Sequence, residues 1–227
     1  MSRRVKRTIT TIISLAVLLI AMLAATPEVA VPLAPNTSTV AAEGDAATVL
    51  ETLPVKGRAP KTGYARAQFG NGWGDYQGCD MRNVILFRDL TNTTVDDQCR
   101  VLTGQLADPY TNTIISFQRS ESEKVQIDHV IALSDAWQKG AQQLSKELRV
   151  QLANDPLELL AVYGSSNQQK GDSDAATWLP VNKLFRCTYV ARQIAVKQKY
   201  ALWVTQPEKD AMLKVLSDCR GQSLPAK

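Results

Sequence analysis

VQIDHVIAL at residues 125–133 and NDPLELLAVYGSSNQQKGDSD at residues 154–174 decide how this chain is read. In the first, Val125, Ile127, His129 and Ile131 recur at alternate positions and share one face of a strand. It carries Asp128 and His129, and His129 is the only histidine in 227 residues. In the second, LELLAV (157–162) is a short apolar strand and Tyr163 to Ser166 a turn, after which Ser165 or Ser166 caps a helix bearing Asn167 and Lys170. A strand–loop–strand–helix unit thereby brings an Asp-His pair against an Asn-x-x-Lys. Adjacent strand residues face opposite ways, so Asp128 and His129 reach one site only if the strand ends or bends there.

Working outward, SDAWQKGAQQLSKELRVQLAN (134–154) reads as one helix capped by Ser134 or Asp135. It stops near Asn154, because Pro156 disfavours helix in the residue before it. Upstream, CRVLTGQL and TIISFQ flank ADPYTN, which predicts a β-hairpin over 99–118. NVILFRDL (83–90) fits a helix or a strand, and the glycine- and aromatic-rich run 63–78 reads as an ordered loop. Downstream, residues 187–203 show a helical stripe at Val190, Ile194 and Tyr200. Thr205 and Glu208 form a capping box around Pro207, opening a second helix whose apolar face is Ala211, Met212, Val215, Leu216 and Cys219.

Composition bounds the class. Hydrophobic residues at 44% against 21% charged describe a globular chain. Of its 26 basic residues, Arg3, Arg4, Lys6 and Arg7 precede residue 30 against the single acid Glu28, so the net charge of +4 is largely N-terminal. These positives precede the apolar run Thr8 to Ala25, which gives residues 1–30 the form of a signal peptide or an N-terminal membrane anchor. Residues 31–52 read as a flexible linker and 53–222 as the folded domain. Any membrane contact is confined to the N-terminal segment, and the domain is expected to be monomeric. An even set of cysteines in an exported chain implies two disulfides. Cys187 opens one C-terminal helix and Cys219 closes the other, so antiparallel packing predicts Cys187–Cys219 and leaves Cys79–Cys99. No C-x-x-C occurs and the histidine stands alone, which argues against zinc. No G-x-S-x-G elbow occurs either, which argues against a serine hydrolase.

Histidine suits general-base work near neutral pH, and Asp and Asn oxygens suit a hard cation that keeps several waters. Asp128-His129-Val130, then Asn154, then Asn167-x-x-Lys170 resembles the HNH, or ββα-metal, endonuclease superfamily. VQIDHVIALSDAW, NDPLELLAV, NQQKGDSDAATWLP and the RCTYVARQ and LWVT segments resemble exported actinobacterial HNH-family proteins related to the GmrSD C-terminal domain (domain of unknown function 1524). That resemblance spans about Tyr64 to Cys219.

The resemblance implies an α+β fold, with a ββα-metal core, an added β-hairpin and a C-terminal antiparallel helical hairpin. It implies His129 as general base, Asp128 and Asn167 as ligands of Mg²⁺ or Mn²⁺, and Asn154 as the residue orienting the loop and the base, with Asp155 as its substitute. Lys170 would contact phosphate. The implied reaction is divalent-metal-dependent hydrolysis of DNA with low sequence specificity, RNA being a second candidate substrate, and no organic cofactor is called for. Arg186, Arg192, Lys197 and Lys199, free of interspersed acids, are the candidate nucleic-acid contacts, with Arg82 and Arg88 as weaker ones. A catalytically inactive, nuclease-like extracytoplasmic binding module is the rival reading.

Overall fold

The computed structural model describes residues 44–225. The expected signal or anchor, and the linker as far as residue 43, lie outside those residues. Residues 46–52, read as linker, instead form helix α1 (Ala46–Thr52), capped by the Asp45 carboxylate, with Ala46 and Leu50 fully buried. At the other end Leu224 is buried and Ser223 bridges to Asp45, so the folded unit extends past both expected boundaries. Among the described residues no helix is long and apolar enough to cross a membrane.

After α1 the chain runs through a 3₁₀ turn (Arg66–Phe69) and a two-stranded ribbon of β1 (Asp75–Tyr76) and β2 (Cys79–Asp80) into helix α2 (Met81–Asp89). α2 resolves the helix-or-strand alternative at 83–90, since Asp80 caps it by accepting from the Asn83 amide. The expected hairpin is β4 (Val101–Asp108) with β5 (Thr113–Gln118), and β3 (Leu90–Val95) adds a third antiparallel strand. β6 (Val125–His129) pairs antiparallel with β7 (Leu159–Tyr163), and Ile127 lies opposite Ala161.

The single helix expected between them is two. α3 (Leu133–Gln138) stops at its C-cap Lys139, just before Gly140, where φ is 124° and a Cβ would lie 3.2 Å from the Trp203 ring. α4 (Lys146–Ala153) restarts after Ser145, whose hydroxyl accepts from the Leu148 amide. α3 begins after Ala132 with no side-chain cap, so neither Ser134 nor Asp135 serves there.

α5 (Gly164–Lys170) follows β7 directly and likewise has no side-chain cap, against the expectation for Ser165 or Ser166. Gly164 is required at that junction, because a Cβ would lie 2.0 Å from the Glu123 carbonyl oxygen. The chain closes with α6 (Arg186–Lys199) and α7 (Gln206–Ser217), the latter opened by the Thr205–Glu208 capping box. Both predicted disulfides, Cys79–Cys99 and Cys187–Cys219, are present.

The β6–β7 pair lies between two cores, and strand alternation explains how. Val125, Ile127, Leu159 and Ala161 pack with α2, β4 and β5, while Leu160 and Val162 pack with the helices on the other face. The mixed α+β class therefore holds, with small sheets, seven α-helices among the described residues and two disulfides.

Candidate active site

A cavity of about 410 Å³ lies against β6 and is lined by Gln126, Ile127, Asp128 and His129 in succession. β6 pairs only with β7 among the described residues, so its other edge is free, and side chains from both strand faces reach the hollow there. This answers the alternation problem. His129, on the Ile127 face, stacks on Trp73 with ring centroids 5.8 Å apart and planes 6° apart. Asp128, on the opposite face, accepts from the Tyr110 hydroxyl through Oδ2 and from Lys170 Nζ at 2.8 Å through Oδ1. Asn167 lines the same cavity from α5.

The tautomer of His129 follows from its partner. Nε2 lies 3.0 Å from the carbonyl oxygen of Ala153, the last residue of α4. A terminal helical carbonyl has no partner within its own helix and can only accept, so Nε2 carries the proton and Nδ1 keeps the lone pair. Burial, helped by the positive charges of Arg66 and Lys170, lowers the imidazole pKa to about 3, so the ring is neutral at ordinary pH.

This has a thermodynamic consequence. An unfolded histidine titrates near 6.5. The neutral buried ring therefore contributes stability that is complete above that pH and declines as pH falls toward about 3. In EDTA, wild type is expected to lose ~3 kcal/mol more between pH 7 and pH 4 than His129→Asn, by urea unfolding. The carboxyls of Glu158 and Asp135, which burial pushes up, act in the opposite sense but equally in both proteins. Parallel pH profiles would refute the account.

Asn154 does not line the cavity. Its Oδ1 accepts from the Gly74 amide at 2.6 Å and its Nδ2 donates to the Val150 carbonyl at 2.9 Å. Gly74 is also held through its carbonyl by the Met81 amide, which fixes the neighbouring Trp73 over His129. Asp155, the named substitute, is occupied by Lys199, the Tyr200 hydroxyl and the Leu157 amide.

Lys170 is not a surface lysine offered to phosphate. It is buried, donating to Asp128 and, at 2.8 Å, to the carbonyl of His129. Asp174, four residues further on, is buried against Lys139 and Arg58.

The four α6 cations expected to meet nucleic acid each have a partner within the fold, Lys199 while remaining exposed. Lys197 is buried with its ammonium 3.0 Å from Glu208, and Lys199 pairs with Asp155. Arg192 donates to the carbonyls of Pro156, Leu157 and Leu159, and Arg186 to that of Pro180. These cations satisfy orphan carbonyls and buried acids inside the fold. Arg88 does the same for Pro156 and Leu159, whereas Arg82 does line the cavity. Sequence reasoning missed Arg66, Trp73 and Tyr110 altogether; the tryptophan and the arginine sit in or beside a glycine-rich loop with no periodicity to place them.

Residues 80–215, more than half of the chain, match the family of GmrSD restriction endonucleases, C-terminal domain. The chain belongs to this family. It is also similar to an "Uncharacterized secreted protein" of Arthroderma benhamiae, 36% identical over 208 residues, which covers 90% of this chain and 98% of that protein. That relative is fungal, so the likeness is not confined to the actinobacterial proteins named from the sequence. No solved structure matches. The family segment contains Tyr110, Asp128, His129, Asn154, Asn167 and Lys170, whereas Arg66 and Trp73 precede it.

Proposed function

We propose that this protein is an exported endonuclease that hydrolyses DNA phosphodiester bonds at an HNH-type ββα site with a divalent cation. The observation that carries the reading is the meeting of Asp128, His129 and Asn167 on one cavity, with His129 held as the Nε2–H tautomer. Membership of a restriction-endonuclease family supports it, and the two disulfides and the secreted relative support export.

The oxygen donors fit Mg²⁺ or Mn²⁺. Asn167 Nδ2 donates to Gln126 Oε1 at 3.0 Å, and Asn167 Oδ1 has no hydrogen-bond partner among the described residues. Each Asp128 oxygen accepts one internal hydrogen bond and keeps a second lone pair. Asp128 and Asn167 would hold the cation, which when bound supplies Lewis-acid stabilisation of charge on the phosphoryl group. His129 Nδ1 takes the proton of the attacking water as its oxygen bonds to phosphorus, while the opposite phosphorus–oxygen bond breaks and the departing strand oxygen takes a proton from solvent water. Ala153 holds the far side of the ring and Trp73 its face, so the base does not turn as it charges. The low basicity of the free imidazole is offset by the negative charge of a bound phosphodiester, which favours the protonated ring.

The test is cleavage of supercoiled plasmid by the oxidised protein in Mg²⁺ or Mn²⁺ against EDTA. Nicking or linearisation that requires the cation is expected. A folded protein that leaves plasmid and RNA intact in every cation would overturn the reading. It would favour instead a nuclease-like binding module, for which the pairing of Asp128 with Lys170 already speaks.

A further inference from the structure

The charges around the cavity do not cancel, and of the two guanidinium groups that make up the excess only one has free donors. Two carboxylates line it, Asp128 and Asp172, and each already has its own cation: Lys170 at 2.8 Å and Lys61 at 2.9 Å respectively. Two guanidinium groups line it as well, Arg66 and Arg82. Arg82 is engaged, donating to the carbonyls of Ser122 and Val125. Arg66 makes no side-chain hydrogen bond or ion pair among the described residues. The cavity thus carries a surplus of positive charge facing Asp128, His129 and Asn167, and one guanidinium whose donors are uncommitted.

Its backbone, in contrast, is well held. Arg66 opens the 3₁₀ turn that ends at Phe69, which is buried with its ring 6.3 Å from Trp137 and 6.4 Å from Tyr64. Arg149 of α4 donates to the Gln68 carbonyl at 3.0 Å, tying the turn to the helix whose final carbonyl holds His129. Arg66 also lines a second hollow, of about 180 Å³, on which Trp73 and His129 again border. A flexible side chain on a fixed base, beside the proposed base and without an internal anion, suits a group that pairs with a ligand. A guanidinium prefers a phosphate, which it can grip through two parallel N–H donors.

We propose that Arg66 is the clamp for the scissile phosphodiester, gripping its non-bridging oxygens across the cavity from Asp128 and Asn167. The proposal rests on the nuclease reading and adds a substrate contact outside the segment that matches the family. It also replaces the α6 cations as the charge that meets nucleic acid.

The test compares wild type with Arg66→Ala and Arg66→Lys. The readouts are duplex oligonucleotide cleavage in Mg²⁺ or Mn²⁺, and anisotropy of the same labelled duplex in EDTA. Arg66→Ala is expected to lower kcat/KM about 100-fold and to weaken binding in EDTA, with an unchanged melting temperature. Arg66→Lys restores only part of the loss, because it keeps the charge and not the fork. The salt slope of log Kd should flatten by about 1 in the alanine variant, a change that a merely structural residue would not produce. Wild-type kcat/KM and an unaltered salt slope in Arg66→Ala overturn the clamp while leaving the nuclease reading intact. If wild type binds but never cleaves, a loss of binding in Arg66→Ala keeps Arg66 as a phosphate contact, while its role at a scissile bond falls with the nuclease reading. Equal binding then overturns both.

Discussion

Replacing His129 by alanine is expected to lower metal-dependent plasmid cleavage by about 10²–10⁴-fold, the range for losing a positioned general base. The size of the effect follows from the lack of a substitute. His129 is the only histidine in the chain. Of the nearby carboxylates, Asp128 is held by Lys170 and Tyr110, Asp172 by Lys61, and buried Glu158 is turned to the Ile131 amide. None is placed to take a proton from a water in the cavity without losing a partner that it needs. Glutamine at 129 should be no better, since an amide nitrogen has no lone pair for a proton. Cleavage by His129→Ala at the wild-type rate, in protein shown to be folded by circular dichroism, would remove the histidine from the chemistry. Arg66→Ala, by contrast, should leave the base in place and act mainly on substrate capture. The two variants separate proton transfer from phosphate binding, and their losses need not add, because both act on one transition state.

What could be read from the sequence, and what could not, divides along physical lines. Alternation in VQIDHVIAL and the short apolar run LELLAV placed β6 and β7, and both strands bury residues on two faces between the cores. The Thr205–Glu208 capping box and the spacing of Cys187 and Cys219 are local or rigid-helix signals, and both survive in the fold. The errors came where tertiary contacts reassign polar groups. Lys197 and Arg192 look like a solvent-facing basic stripe, yet both point inward to buried Glu208 and to carbonyls between α4 and β7. Lys170 sits at the expected helical offset from Asn167, but its ammonium is turned to Asp128. The Ala-rich stretch before residue 53 lacks the aromatic residues of a core, and only packing against α6 and α7 makes α1 worth ordering. Arg66 and Trp73 carry no signal at all in isolation. A loop residue becomes part of a site through what closes around it, here the Asn154–Gly74 bond and the α4 carbonyl.

Lys139→Met is expected to cost about 3–5 kcal/mol of stability, and with it about 10 °C of melting temperature. Lys139 is fully buried, with its ammonium 2.9 Å from Asp135 and 2.7 Å from both Asp174 and Glu208. Arg58 reaches Asp135 and Asp174, and Lys197 reaches Glu208. Three cations therefore balance three anions, and removing Lys139 leaves a net negative charge among groups that are largely out of water. The cost of the change lies in that uncompensated charge more than in the lost bonds. This predicts a specific rescue. Glu208→Gln restores the balance and can still close the capping box on Thr205. The double variant Lys139→Met/Glu208→Gln should therefore be at least ~1 kcal/mol more stable than the sum of the single losses implies. Urea unfolding with unchanged m-values measures this. A single-variant loss below ~1 kcal/mol, or strict additivity in the cycle, would refute the charge-balance argument. The network also has a bearing on the site. Asp174 ends the segment that leaves α5, and Lys139 ends α3, so the same cluster that stabilises the helical half anchors the chain just beyond Asn167 and Lys170. Weakening it should loosen α5 before it unfolds the domain. In Lys139→Met, the amide protons of α5 are expected to lose hydrogen-exchange protection ahead of those of β6 and β7.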